Sequence, residues 1–189
     1  MNLSLKPGSS RKSAYNLRSH LAEGEERHTL SVLVDNEPGV LARVIGLFSG
    51  RGYNIESLTV AETDHTGHRS RITVVTTGTP AVIDQIHNQL ERMVPVHMVT
   101  DLSDLDGHIE RELALYKISA EGDARLEALR LAEIMGARVA DVTLNSFVFE
   151  LSETPEQVDA FAELMRPLGL VEVARTGVAA LSRGGEGMT

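Results

Sequence analysis

The chain contains no cysteine and no tryptophan, and aromatic residues make up only 4% of it. The absence of cysteine excludes disulfides, thiolate zinc sites, cysteine-ligated iron–sulfur clusters and cysteine nucleophiles, and it fits a reducing compartment. The scarcity of aromatic rings argues against a platform for stacking nucleic-acid bases. A basic excess is missing too, because 27 acidic residues oppose 18 basic ones and leave a net charge of −9. We therefore expect no nucleic-acid partner and no attraction to anionic membranes.

Long apolar runs are also missing. No stretch approaches the roughly 20 residues that span a bilayer, and none near the N-terminus resembles the apolar segment of a secretory signal. Residues 1–22 instead contain five serines, four basic residues and no acidic residue. We expect residues 1–27 to form a disordered tail and the protein to be cytoplasmic. The tail's composition overlaps that of organellar transit peptides, so organellar targeting stays open.

Two consecutive stretches of the chain show the same succession of hydrophobic periodicities. Alternating apolar residues predict strands, and apolar residues three or four apart predict helices. Both stretches read strand, helix, strand, strand, helix, strand, and 189 residues suffice for two small domains. The predicted fold class is α+β, with two ferredoxin-like βαββαβ domains in tandem. The predicted organisation is a tail at 1–27, domains at 28–103 and 108–184 joined by a linker at 101–107, and a tail at 185–189.

The boundaries of the elements follow from the same patterns. Strands are predicted at 28–34, 55–61, 71–77 and 94–98 in the first domain, and at 113–119, 139–144, 147–151 and 171–181 in the second. Prolines 38, 80 and 155 mark helix starts, and the last of them lies in a capping box, Thr154-Pro155-Glu156-Gln157. The residues predicted to face the core from the third helix are Leu126, Leu129, Ile134 and Met135.

No arrangement of residues that would support catalysis is found in the sequence. His65 and His68 have the spacing of a metal-ligand pair but fall in a predicted polar turn. Asp104 and Asp106 lack the remaining ligands of a calcium loop. We therefore predict no catalytic residue and no metal site, which favours a binding or regulatory module.

The turn between the first strand and the first helix is the best candidate for a ligand site. A helix N-terminus presents free N–H groups and a positive dipole end, so a carboxylate fits there. The predicted donors are the N–H groups of Gly39, Val40 and Leu41, and the Asn36 side-chain oxygen is placed to accept from an ammonium group. Val40 and Leu41 would supply apolar walls, as an α-amino acid with a small apolar side chain requires. The alternative is that Asn36 only caps the helix and Gly39 only eases the turn.

A second half of this site is predicted at the start of the second strand. Asn54 and Ile55 offer another polar and apolar pair there. A sheet with both helices on one face leaves the other face uncovered, and small domains often dimerise through such a face. In a dimer, Asn54 and Ile55 would close the pocket from the partner chain.

Residues 31–60, which read SVLVDNEPGVLARVIGLFSGRGYNIESLTV, resemble the ligand loop of an ACT domain, and specifically that of the regulatory (small) subunit family of acetolactate synthase. Residues 109–115 (IERELAL) and 172–184 (EVARTGVAALSRG) resemble the C-terminal domain of the same family. The likeness covers residues 28–184. An ACT loop alone is common to many regulators, so the RGYNIESL string and the C-terminal match carry the resemblance.

The resemblance implies a non-catalytic chain that binds a large catalytic subunit, which uses thiamine diphosphate, Mg²⁺ and FAD to make acetohydroxy acids for valine, leucine and isoleucine. It implies a homodimer through the ACT domains, higher activity of the catalytic subunit and feedback inhibition, usually by L-valine. The effector-binding role would fall on Asn36, Gly39, Val40 and Leu41 of one chain, and on Asn54 and Ile55 of the other. No cofactor is expected in this chain itself. The rival interpretation is a stand-alone ACT-domain amino-acid sensor that regulates another enzyme.

Overall fold

The computed structural model describes residues 24–64, 66–105 and 107–188 and contains two consecutive βαββαβ units. The N-terminal domain consists of β1 (Glu26–Asp35), α1 (Val40–Arg51), β2 (Ser57–Asp64), β3 (Arg69–Gly78), α2 (Pro80–Glu91) and β4 (Val96–Asp101). The C-terminal domain consists of β5 (His108–Ser119), α3 (Gly122–Met135), β6 (Arg138–Val142), β7 (Ser146–Glu153), α4 (Pro155–Met165) and β8 (Leu170–Ser182), with a 3₁₀ turn at Arg166–Leu168 after α4.

Each domain contains one four-stranded antiparallel sheet. The strand orders are β2-β3-β1-β4 and β6-β7-β5-β8, so the first and third strand of each unit occupy the centre. This order is that of a ferredoxin-like sandwich, and the predicted fold class is confirmed. None of the described helices is long and apolar enough to cross a membrane.

The core of the N-terminal domain is mostly aliphatic. Leu30, Val32 and Val34 alternate along β1 and are at most 1% exposed. They pack against the apolar face of α1, from which Val44 and Phe48 are buried. The face of β1 formed by every second residue therefore packs against the apolar face of α1, as the sequence predicted.

The core of the C-terminal domain is richer in aromatic rings. Tyr116 and Phe161 lie edge to face with ring centroids 4.7 Å apart, and Phe149 lies 6.1 Å from Phe161. The prediction for α3 is wrong at two positions, since Leu126 is 62% and Ile134 is 75% exposed. The helix instead buries its small residues Ala128 and Ala132, while Leu129 and Met135 pack partly buried against the same core, as predicted.

Several strand ends differ from the predicted ones. β1 begins at Glu26, two residues earlier than predicted, and β2 begins at Ser57, two residues later. Val94 is 94% exposed and lies before β4, because Pro95 delays the strand. The largest difference is in β5, which begins at His108 and not at 113.

The early part of β5 forms a two-stranded extension of the C-terminal sheet. Residues 108–112 pair with 178–182 of β8, whereas β7 pairs with β5 only from Glu112 onward. We call these two segments the β5–β8 ribbon. It lies on the helix-free face of the N-terminal sheet, where Val75 forms a buried cluster with Leu102, Val178 and Ala180.

The β5–β8 ribbon covers the sheet face through which the sequence predicted dimerisation. The central strands of the N-terminal sheet are buried on the helix-free face as well, and the covered residues include Thr29, Ser31, Thr73 and Val75. The face predicted to be open is thus occupied by the chain's own C-terminal domain.

The predicted linker differs from the observed connection between β4 and β5 by one residue. Asp101 belongs to β4. One of its carboxylate oxygens, Oδ2, lies 2.6 Å from His28 Nδ1, and the other, Oδ1, accepts a hydrogen bond from the Ser103 N–H. Leu102 is 2% exposed. The start of the connection is therefore packed against the two domains, while Asp104 and Leu105 are exposed. Asp106 and the predicted tail up to residue 23 lie outside the described residues.

Candidate functional site

The loop between β1 and α1 is held by backbone hydrogen bonds from two neighbouring segments. The Asp35 N–H donates to the Pro95 carbonyl at 2.9 Å, and the Asn36 N–H donates to the His68 carbonyl at 2.7 Å. Residues 36–39 are exposed. The loop is thus fixed at its base and open to solvent at its tip.

Gly39 is the N-cap residue of α1 and has φ 90° and ψ −7°, in the left-handed region that disfavours a Cβ. A Cβ built there would meet no atom within 4 Å, so the restriction is conformational and not steric. No side chain caps the helix. The alternative in which Asn36 serves only as a helix cap is therefore wrong.

The N–H groups at this helix start are only partly used. The Val40 N–H donates to the Glu37 carbonyl at 3.3 Å, so it is a weaker candidate donor than predicted. Within the described part of the chain, the N–H groups of Gly39 and Leu41 have no backbone acceptor. The first turn of α1 contains no acidic residue. The helix start can therefore accept an anion.

The two apolar residues at the helix start point to different surroundings. The Val40 side chain is 3% exposed and belongs to the domain core, so it contributes no open wall. Leu41 is 37% exposed and lies beside the free N–H groups. Leu41 is thus the apolar surface that this chain offers at the loop.

Asn54 and Ile55 lie at the other end of α1, in the turn that precedes β2. Asn54 is exposed, and its backbone carbonyl accepts a hydrogen bond from Thr76 Oγ1 at 2.6 Å. Ile55 is partly buried against the domain core. The 12 residues of α1 separate this turn from Asn36, a length of about 18 Å at 1.5 Å per residue. A single chain therefore does not bring the two predicted halves of the site together.

A cavity of about 740 Å³ lies between the two domains, and Asn54 is among its lining residues. Its C-terminal side carries Arg175, which donates to both oxygens of Glu112 and, at 2.6 Å, to Asp159. Hydrogen bonds with Glu112 are the main reason why the pKa of Arg175 is raised above its usual value. Sequence reasoning missed this cluster, because its members are dispersed over three elements and share no motif.

Sequence reasoning also took His28 as an isolated residue. It is buried, and with Asp101 and Asp104 it presents ligand atoms within 4.8 Å of one another. The hydrogen bond from the His28 ring to Asp101 fastens β1 to β4. This bond gives the group a structural role. His65, whose spacing to His68 resembled a metal pair, lies outside the described residues.

Comparison with known families agrees with this architecture domain by domain. Residues 30–98 match a family described as the AHAS small subunit-like ACT domain, and residues 111–184 match a family described as the small subunit of acetolactate synthase. The chain belongs to the acetolactate synthase small-subunit family. The resemblance of the loop and of the C-terminal strings is thereby confirmed.

Individual members of the acetolactate synthase small-subunit family match the chain over nearly their whole length. The isozyme 3 small subunit of Salmonella typhimurium is 48% identical over 84% of this chain and 96% of its own. A probable small subunit of Archaeoglobus fulgidus is 43% identical over 84% of this chain and 98% of its own. The crystal structure of the Thermotoga maritima small subunit superposes with a TM-score of 0.77 at 35% identity, covering 85% of this chain and 99% of that one.

Proposed function

We propose that this chain is the regulatory subunit of an acetolactate synthase and that it binds L-valine between two ACT domains. The catalytic partner would be the large subunit, in which we expect the thiamine diphosphate, Mg²⁺ and FAD. Membership of the small-subunit family supports the partnership. The observation that carries the effector site is the uncapped start of α1, with its free N–H groups beside an exposed leucine.

Each chemical group of valine finds a counterpart at this place. The carboxylate would accept from the N–H groups of Gly39 and Leu41, stabilised by the positive end of the helix dipole. The ammonium would donate to side-chain oxygens of Asn36 and of Asn54 from a second chain. The isopropyl group would contact Leu41 and, on the second chain, Ile55.

The strand register explains how a second chain would complete the pocket. Asp35 and Asp64 both pair with Arg69, so the C-terminal end of β2 lies at the same end of the sheet's strands as the Asn36 loop. Ser57, at the start of β2, pairs with Val75 and lies toward the other end of the strands. If the β2 strands of two chains pair antiparallel about a two-fold axis, the turn before β2 of one chain reaches the Asn36 loop of the other.

The β2 edge is suited to such a contact. It is an outer strand of its sheet, and its backbone groups on that side have no neighbouring strand among the described residues. Val60 is 44% exposed in its centre. An edge of this kind pairs readily with a second copy of itself. We therefore propose a homodimer through the edges of the ACT sheets, in place of the face that the ribbon covers.

Calorimetric titration of the purified full chain with L-valine tests the effector site. We expect saturable binding at about one valine per chain, because a two-fold axis creates two equivalent pockets in the dimer. Glycine is the matched control, since it carries the same charged groups and lacks the isopropyl group. Equal affinity for glycine and valine would contradict the apolar wall, and absence of valine binding would contradict the site.

Reconstitution with the large subunit tests the partnership. We expect the chain to raise the rate of acetolactate formation and L-valine to lower the raised rate. A rate that does not respond to the chain would contradict the regulatory role and favour the rival sensor of another enzyme.

A further inference from the structure

The two domains are joined by hydrogen bonds between side chains of β2 and the backbone of β8. The Val178 N–H donates to Ser57 Oγ at 2.8 Å, and Thr59 Oγ1 donates to the Val178 carbonyl at 2.8 Å. Both polar groups of one backbone residue are thus satisfied by hydroxyls of the other domain. We call Ser57, Thr59, Gly177 and Val178 the interdomain clamp.

The clamp requires a glycine in β8. Gly177 has φ 85°, and a Cβ at this position would lie 2.8 Å from Ser57 Oγ and 3.0 Å from Thr59 Cγ2. Any other residue would meet both a strained backbone and a steric clash. The close approach of β8 to β2 therefore depends on the missing side chain.

On the N-terminal side, the clamp is continuous with the proposed effector site. Ser57 follows Asn54 by three residues, a distance of about 10 Å along extended chain. Between them the Glu56 N–H donates to the Val75 carbonyl at 2.8 Å, which ties the segment to β3. A ligand that pulls on the Asn54 turn therefore acts on a short segment that ends in the clamp.

On the C-terminal side, the clamp is continuous with α4. The Gly177 N–H donates to Glu112 Oε1 at 3.2 Å, and Arg175 holds both Glu112 and, at 2.6 Å, Asp159 of α4. The side chain of Glu112 is 4% exposed, so its contact with the Gly177 N–H is shielded from solvent, whereas Arg175 and Asp159 are partly exposed.

We propose that the interdomain clamp transmits effector occupancy from the ACT domain to the C-terminal domain, and that Ser57, Thr59 and Gly177 are positioning residues for feedback inhibition. The inference rests on the proposed function, since it assumes that the effector contacts the Asn54 turn. The clamp residues are not expected to touch the effector, and their hydroxyls serve the second domain. Binding and inhibition should therefore separate when the clamp is removed.

The test uses the full chain with the Ser57→Ala and Thr59→Val substitutions combined, assembled with the catalytic subunit. Both changes remove a hydroxyl with little change in volume. We expect valine affinity by calorimetry within about threefold of the unaltered chain, activation without valine within about twofold, and a rise of at least about tenfold in the valine concentration that half-inhibits. Gly177→Ala should give the same separation by an independent route.

Two controls distinguish the clamp from a general loss of structure. Thr79→Val makes the same chemical change at an exposed position outside β2, where the hydroxyl makes no cap hydrogen bond to α2, and it should leave inhibition unaltered. Thr59→Ser alone keeps the hydroxyl and should restore inhibition relative to Thr59→Val alone. If the double variant does not fold, the pair of Thr59 variants carries the test.

Each remaining result is decisive. Unaltered inhibition in the double variant would overturn the clamp while leaving the proposed function intact. Loss of valine binding in that variant would also overturn it, because the hydroxyls would then be shaping the pocket itself. An unaltered chain that neither binds valine nor is inhibited by it would remove the proposed function, and the clamp with it.

Discussion

The two domains share one topology but differ at the turn between their first strand and first helix. In the ACT domain this turn ends in Gly39, and no acidic residue follows in the first turn of α1. In the C-terminal domain Glu121 is the N-cap of α3 and Asp123 lies in its first turn. Carboxylates at a helix start stabilise the helix dipole and repel a second anion. The same architecture thus leaves the helix start without acidic residues in one domain, as the proposed effector site requires, and supplies it with carboxylates in the other.

The domains differ in a second way that concerns their sheets. The helix-free face of the ACT sheet is buried under the β5–β8 ribbon, whereas the corresponding face of the C-terminal sheet is partly exposed and carries the Lys117–Glu172 and Arg138–Glu150 ion pairs beside the exposed Leu115. The proposed division of labour follows from this difference. We expect the ACT domain to bind the effector, and the C-terminal domain covers the ACT sheet while its own outer face stays partly exposed.

The largest expected effect concerns the aromatic core that distinguishes the C-terminal domain. Phe161→Ala removes a fully buried ring that contacts Tyr116 and Phe149, and it should lower the free energy of unfolding by about 3–5 kcal/mol. Because the ribbon joins the domains, urea unfolding should show one shifted transition in both circular dichroism and tyrosine fluorescence. Two separate transitions would mean that the domains unfold independently.

The next effect concerns the ion pair that attaches the ribbon to the ACT sheet. Glu110 pairs with Arg27 at 3.0 Å and also accepts from Thr29, and its side chain is 10% exposed. Glu110→Gln removes the closer charge partner of the mostly buried Arg27 guanidinium and leaves it the longer contact with Glu56 at 3.7 Å, so we expect a loss of about 2–4 kcal/mol in the free energy of unfolding. Arg111→Gln, an exposed change beside it, should cost little.

The same pair predicts a dependence on pH. Burial by itself would raise the pKa of Glu110, but hydrogen bonds from Arg27 and Thr29 and the charge of Arg27 outweigh burial and lower it. The resulting stabilisation is present above the ordinary glutamate pKa of about 4.3 and is lost as the pH falls through the lowered value. In urea titrations from about pH 6 to about pH 3, Glu110→Gln should lose less stability than the unaltered chain.

A smaller effect is expected at the helix start where the two domains differ. Gly39→Asp should weaken valine binding by about 100-fold, or about 2.7 kcal/mol, because the introduced carboxylate repels that of the ligand. Gly39→Asn is the matched control, since both residues tolerate the left-handed backbone and only one is charged. Calorimetry should show clearly tighter binding for the Asn variant, and equal affinities would mean that strain and not charge is responsible.

The smallest effect concerns the second half of the pocket. Asn54→Ala removes one acceptor for the ammonium and should weaken valine binding by about tenfold, which corresponds to about 1.4 kcal/mol. The Asn54 backbone carbonyl, which accepts from Thr76, is unaffected by this change. Sedimentation should therefore still show a dimer. Unaltered affinity would contradict a pocket that spans two chains.

Prediction from sequence succeeded where local pattern and burial agree. The alternation in β1 and the Thr154 cap, whose side chain accepts from the Gln157 N–H, are present as predicted. The predicted start of α1 at Pro38 is wrong, because the left-handed Gly39 is the N-cap and the helix begins at Val40. Prediction also failed at Leu126 and Ile134, because apolar residues lie on more than one face of α3 and periodicity alone does not select the face that packs against the sheet. The two-chain pocket stays a prediction, since its halves lie at opposite ends of α1.

The sequence by itself determined the two βαββαβ units and the polarity of the loop that precedes α1, because periodicity, proline and glycine act over a few neighbouring residues. Only the tertiary structure decided that the C-terminal ribbon covers the ACT sheet and that Gly177 lies against Ser57 and Thr59. Those contacts join residues about 120 positions apart. No local pattern encodes them, since they arise from the meeting of two surfaces that exist only after each domain has folded.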